Sequence, residues 1–237
     1  ILSWAINAPL LDKANPDVTP NPSKAPWYFL NLQELLLHMH PALAGVIVPT
    51  VFLILLAAIP YYDRSNDGQG VWFGTPNAGR ITVFSMIYGG VLTLLLILYD
   101  AGMHVRLYED IFNTTWPSSL NFLRNLRALQ TDVAWPEWTR SIPYLPFEVT
   151  IRGQSFQNLD FPAWLVEQFI PVATMVGLSL LLLLILWRMR WVTNRHDAMI
   201  ALFSGFIGTF LVLTIVGTAF RGAGMELMWP WDVHIEE

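Results

Sequence analysis

"PALAGVIVPTVFLILLAAIPYY", residues 41–62, contains no Asp, Glu, Lys or Arg. A helix needs about 20 apolar residues to cross about 30 Å of hydrocarbon, and this run supplies them. A buried helix of a water-soluble protein is usually shorter and keeps a polar stripe, which the run lacks. Three further windows, 81–99, 168–187 and 198–220, are equally free of charge. The four together predict a polytopic membrane protein.

Composition agrees. Of 237 residues, 54% are hydrophobic and 13% charged, against about 25% charged in a soluble domain. The absence of cysteine rules out disulfides, thiolate metal ligation, iron–sulfur ligation and covalent haem attachment by this chain. The net charge of −5 is spread over the extramembrane segments and leaves no basic patch for nucleic acid. No internal repeat is visible. The chain begins "ILSWAINAPL", without methionine or a signal-peptide pattern, and reads as processed or as a piece of a longer chain.

Between the windows the sequence divides into an arm (1–40), two spans (41–99), an extramembrane insertion (100–164), two more spans (165–220) and a surface tail (221–237). Prolines 16, 20, 22 and 26 make the arm an extended surface run. From Tyr28 to Met39 the spacing turns helical, with Leu32, Leu35, Leu36 and Met39 on one side and Asn31, Glu34 and His38 on another. That pattern predicts a short helix lying in the membrane interface. "DRSNDGQG" (63–70) reads as a turn-rich loop. The insertion opens amphipathically with "YDAGMHVRLYEDIF" and then becomes rich in Trp and Pro. "FEVTIRG" alternates Phe147, Val149 and Ile151 with Glu148, Thr150 and Arg152, as a short strand or hairpin does. The expected fold class is therefore an all-α integral membrane protein with four transmembrane helices, a short interfacial helix and a long periplasmic-side loop.

Four spans put arm, insertion and tail on one side and the two short loops on the other. The short loops concentrate Arg64, Arg80, Arg188, Arg190 and Arg195 near span ends. By the positive-inside rule those loops face the cytoplasm, and the arm, long loop and tail face the periplasm or its equivalent.

The arm ends in "KAPWYFL", residues 24–30. Trp27, Tyr28 and Phe29 read either as an aromatic belt at headgroup level or as the wall of a pocket for a flat apolar ligand. The run "NPDVTPNPSKAPWYFLNLQELL", followed by a span and "IPYYDRSNDGQG", resembles the carboxy-terminal half of cytochrome b. It is similar to the separate subunit-IV-type chain of quinol-oxidising cytochrome bc complexes and their photosynthetic counterpart. "GTAFRGAGMELMWPWD" is loosely similar to some bacterial tails of the same family; the insertion has no match there. The resemblance implies a subunit of a bacterial-type inner (cytoplasmic) membrane. It implies quinol or quinone at a shared site near the periplasmic face, with Pro26, Trp27, Tyr28 and Phe29 contributing to its wall. It also implies a haem-bearing cytochrome b partner, an iron–sulfur protein and a c-type cytochrome or other electron acceptor, in contact with membrane lipid.

Pro26 stands where the family carries a glutamate, and proline can neither accept nor pass a proton. Quinol oxidation releases two protons, so acceptors are needed near the ring oxygens. Glu34 and His38, four apart on one helical face, are the nearest candidates; the solvated polar face of an interfacial helix is the plainer account of them. "PEW" recurs at Pro136, Glu137 and Trp138, where chance or a second approach to the pocket would account for Glu137. None of His38, His40, His104, His196 and His234 lies within an apolar window, so no haem or metal is expected on this chain. His38 and His40 point apart on a helix, and Asp100, His104 and Tyr108 form an interfacial stripe. The spans carry no mid-depth ionisable residue, which argues against a self-contained transporter. Gly89, Gly90, Ser204, Gly205 and Gly208 read as helix-packing contacts. A scaffold subunit of a larger respiratory or photosynthetic assembly, its quinol loop no longer catalytic, is the alternative reading.

Overall fold

In a computed structural model the described residues are 21–62, 73–143, 149–151, 154–156 and 158–231. The early arm with Pro16 and Pro20, the "DRSNDGQG" loop with Arg64, the flanking Phe147, Glu148 and Arg152, and His234 lie outside them. After a 3₁₀ turn at Trp27–Phe29 comes α1 (Leu30–Leu36). Four helices long and apolar enough to cross a membrane follow the predicted windows: α2 (Leu43–Tyr62), α3 (Ala78–Asp100), α6 (Phe161–Arg188) and α7 (Arg195–Ala219). The third span starts earlier than its charge-free window. Pro162 sits at the start of the helix, where its missing N–H costs nothing, and Glu167 is carried within a π-helical turn, Leu165–Phe169.

The insertion is mostly short helices. α4 (Met103–Phe112) runs on directly from α3, and α5 (Leu126–Thr131) is capped by Asn125, whose side chain accepts from Ala128 N at 2.7 Å. Strand β1 (Ile142–Pro143) pairs antiparallel with β4 (Asn158–Leu159), and β2 (Val149–Ile151) with β3 (Gln154–Phe156). The alternation that predicted a hairpin at Val149–Ile151 is met there, so the helical fold carries two short ladders.

The centre of the molecule is the crossing of α3 and α7. A Cβ on Gly89 would lie 2.2 Å from Gly205 O, and one on Gly208 2.2 Å from Met86 O. Only glycine allows the two backbones that close, as small residues do at membrane helix contacts. Hydrogen bonds Thr93–Thr209 (3.0 Å) and Ser204–Thr82 (3.4 Å) cross the same seam. At one end Ile81, Leu182, Leu186 and Ala201 form a core between α3, α6 and α7; at the other Ile97, Leu213 and Val216 meet Leu35 of α1. Residues 73–77 and 189–194 meet at the first end, where Asp197 accepts from Thr75 Oγ1 at 2.6 Å and from Thr193 N at 3.2 Å. Residues 21–40, the described part of the insertion and the start of the tail gather at the second. The outer faces of α2 and α6 remain largely exposed, with Leu53, Ile54, Leu55, Leu180 and Leu184 uncovered.

Candidate functional site

The site begins with Pro26, whose extended backbone (φ −54°, ψ 149°) leads into the turn closed by Phe29 N donating to Pro26 O at 2.8 Å. Gln33 holds the arm in place: its Oε1 accepts from Ala25 N and its Nε2 donates to Ser23 O, both at 2.7 Å. Lys24 Nζ reaches Thr218 O at 3.0 Å, and Asn21 Oδ1 accepts from Gly224 N at 2.8 Å, so the arm is strapped to the end of α7. On this support Trp27, Tyr28 and Phe29 stand outward, 71%, 53% and 52% exposed. Their rings touch in sequence, 5.8 Å apart and perpendicular for Trp27–Tyr28, 4.9 Å and tilted for Tyr28–Phe29. The result is an aromatic ledge.

Behind the ledge, α1 lies across the end of α7. Gly217 allows this: a Cβ there would stand 3.0 Å from Leu30 O. The face expected to be solvated is the one the fold buries. Glu34 is 0% exposed and Arg221, just past α7, is 5% exposed. Arg221 Nε donates to Glu34 Oε2 at 2.9 Å and Oε1 at 3.1 Å, Nη2 donates to Oε1, and Nη1 donates to Met225 O at 3.0 Å. A buried carboxylate survives only with such compensation, and an arginine 187 residues away supplies it.

His38 continues the network. Its Nε2 lies 3.3 Å from Glu34 Oε1 and its Nδ1 2.6 Å from Asp100 Oδ2 at the end of α3. Asp100 Oδ1 accepts from Leu126 N at 3.3 Å, tying α5 to the same point. Burial opposes ionisation of Glu34, but hydrogen bonds from His38 and Arg221 and their charge outweigh it and hold the carboxyl below its ordinary range. Burial likewise opposes the His38 cation, and Asp100 and Glu34 outweigh it, so the imidazole titrates above its ordinary value. Asn31 Oδ1, on the same side of α1, is buried with no hydrogen-bond partner among the described residues.

A cleft of about 380 Å³ opens beside Asp100, lined among others by Ala101, Gly102, Arg106, Arg124 and Asn125. Another, of about 470 Å³, lies at the opposite end between Gly74–Asn77 and Thr193–Asp197. Neither is lined by Pro26–Phe29. The Asp100, His104 and Tyr108 stripe is taken up by the insertion. His104 stacks on Tyr99 with centroids 5.0 Å apart and bonds Leu123 O at 3.0 Å, and Tyr108 meets Trp116 edge-on. Glu137 lies in a 3₁₀ turn, Glu137–Arg140, that packs on the first turn of α6 and on β4. Among the described residues no group of three or more His, Asp or Glu could hold a metal ion.

Sequence spacing paired Glu34 with His38 but did not connect either to Arg221 or Asp100. The available signal was position: each charge sits immediately at the end of an apolar window, where a neighbouring surface helix can reach it.

Residues 13–72 match the family model of cytochrome b(C-terminal)/b6/petD. That stretch, which carries the ledge, α1 and the first span, is similar to the family, and the match stops before α3. It supports a membrane subunit of a complex of the cytochrome bc type. No curated protein and no solved structure matches the chain.

Proposed function

We propose that this chain is the subunit-IV-like component of a quinol-oxidising cytochrome bc-type complex, and that Pro26–Phe29 forms one wall of its quinol-oxidation site. The observation that carries this is the solvent-facing ledge of Trp27, Tyr28 and Phe29 within the family-matched segment. A quinone ring is flat, apolar on its faces and polar at two oxygens. Stacked aromatics suit its faces, and the unpartnered Asn31 Oδ1 suits a ring hydroxyl. The ledge stands open on its outer side, and a haem-bearing cytochrome b and an iron–sulfur protein complete the site. Those partners and a c-type cytochrome or other acceptor carry the electrons. Glu34 and His38 are the ionisable groups of α1 nearest the ledge in sequence. Glu34 is committed to Arg221 and stays ionised, which leaves His38, between two carboxylates, to hold and pass the proton. The ledge end faces the periplasm of a bacterial-type cytoplasmic membrane, and the arginine-bearing short connections face the cytoplasm.

A non-catalytic scaffold is the second reading, favoured by Pro26 in place of a carboxylate and by the openness of the ledge. Trp27→Ala and Tyr28→Ala in the purified native complex separate the two. An aromatic contact contributes about 0.5–1.5 kcal/mol, so each variant should weaken apparent quinol affinity roughly two- to tenfold with the complex intact. Loss of the complex in both variants, or unchanged turnover, would favour the scaffold.

A further inference from the structure

From the contacts of His38 we infer that Asp100 is the outlet through which protons leave the quinol site, passing from His38 Nδ1 to Asp100 Oδ2 and then to water in the cleft at Ala101, Gly102 and Asn125. This rests on the quinol reading above and adds a residue beyond the family-matched stretch. The His38–Asp100 step is a single short contact. His38 presents Nε2 toward the Glu34 side and Nδ1 toward Asp100, at 3.3 and 2.6 Å. An imidazole can therefore receive a proton on one nitrogen and release one from the other, returning to its starting charge.

The alternatives along the network are closed. Glu34 is wholly buried and held on both oxygens by Arg221, so it offers no exit. Arg221 offers N–H donors and no acceptor, so it cannot take a proton on. Asp100, 22% exposed on its side chain, is the member of the chain next to open space: Ala101 and Gly102, the next two residues, line the 380 Å³ cleft, as does Asn125, beside the Leu126 N–H that bonds Asp100 Oδ1. Arg106, Arg124 and Glu109 also line the cleft. Among the described residues neither arginine has a carboxylate partner. The balance is simple: each proton that the quinol loses as its electrons pass to the haem and iron–sulfur partners appears, one for one, in the water of the cleft.

Asp100→Asn in the native complex tests this, because asparagine keeps an acceptor for Leu126 N and a hydrogen bond for His38 but cannot carry the proton. Quinol turnover should fall at least tenfold, formate in the assay should restore part of it by entering the cleft, and Asp100→Glu should retain most of it. Wild-type turnover and pH profile in Asp100→Asn would overturn the outlet while leaving the quinol reading standing. Should Asp100→Asn not assemble, the pH profile of Asp100→Glu decides: a shifted limb supports the outlet and an unchanged profile overturns it. A wild-type complex that oxidises no quinol overturns the quinol reading and the outlet with it.

Discussion

Glu34 and Arg221 join two parts of the chain 187 residues apart through three N–H···O contacts in a place that water does not reach. Breaking one side of such a pair costs far more than removing both, because the survivor is left charged and buried, at about 3–5 kcal/mol. Glu34→Gln should therefore lower the thermal stability of the solubilised complex sharply, and Glu34→Gln combined with Arg221→Met should recover part of the loss. A double variant no more stable than the single one would contradict the pairing. The same residues set a pH window. Glu34 titrates below its ordinary 4.5 when folded, so its contribution is full above that value and is lost as pH falls through the folded one. His38 titrates above its ordinary 6.5, so its contribution is full below that value and is lost as pH rises through the folded one. Attachment of α1 should be strongest between about 4.5 and 6.5, and melting temperatures measured across pH should decline on both sides. A His38→Gln variant that keeps the alkaline decline unchanged would show that another group causes it.

At the scale of elements, the α3–α7 crossing depends on the absence of side-chain atoms. Gly208→Ala puts a methyl 2.2 Å from Met86 O, whereas Gly177→Ala in α6 meets nothing within 4 Å. The first should destabilise by about 1–3 kcal/mol or more and the second should be silent, as read by thermal unfolding in detergent. Equal behaviour of the two would contradict the packing. These glycines were legible in the sequence because small residues recur in otherwise bulky windows, and the four spans were legible because charge is excluded from them over a membrane's width. The burial of α1 was not legible. Its spacing gives a polar side at Asn31, Glu34 and His38, and spacing cannot say whether that side meets water or an arginine from another helix. The aromatic ledge was legible as a cluster, but whether it lines a cavity depends on surfaces this chain does not contribute.

Across the whole molecule, two ends carry different work. One is closed by short connections and the buried, capped Asp197. The other collects residues 21–40, the described part of the insertion and the start of the tail around Glu34, His38, Asp100 and Arg221, with the aromatic ledge beside them. The exposed apolar faces of α2 and α6 suit lipid and a partner's helices, as expected of a subunit whose site is shared. The most direct test is a redox difference spectrum of the native complex, purified in mild detergent, before and after a short-chain quinol is added, with its subunits identified by mass. Reduction of b-type haem by quinol in a complex containing an iron–sulfur subunit is the predicted result. An intact complex in which quinol reduces no haem would contradict it, and residues 24–30 would then be an interface anchor.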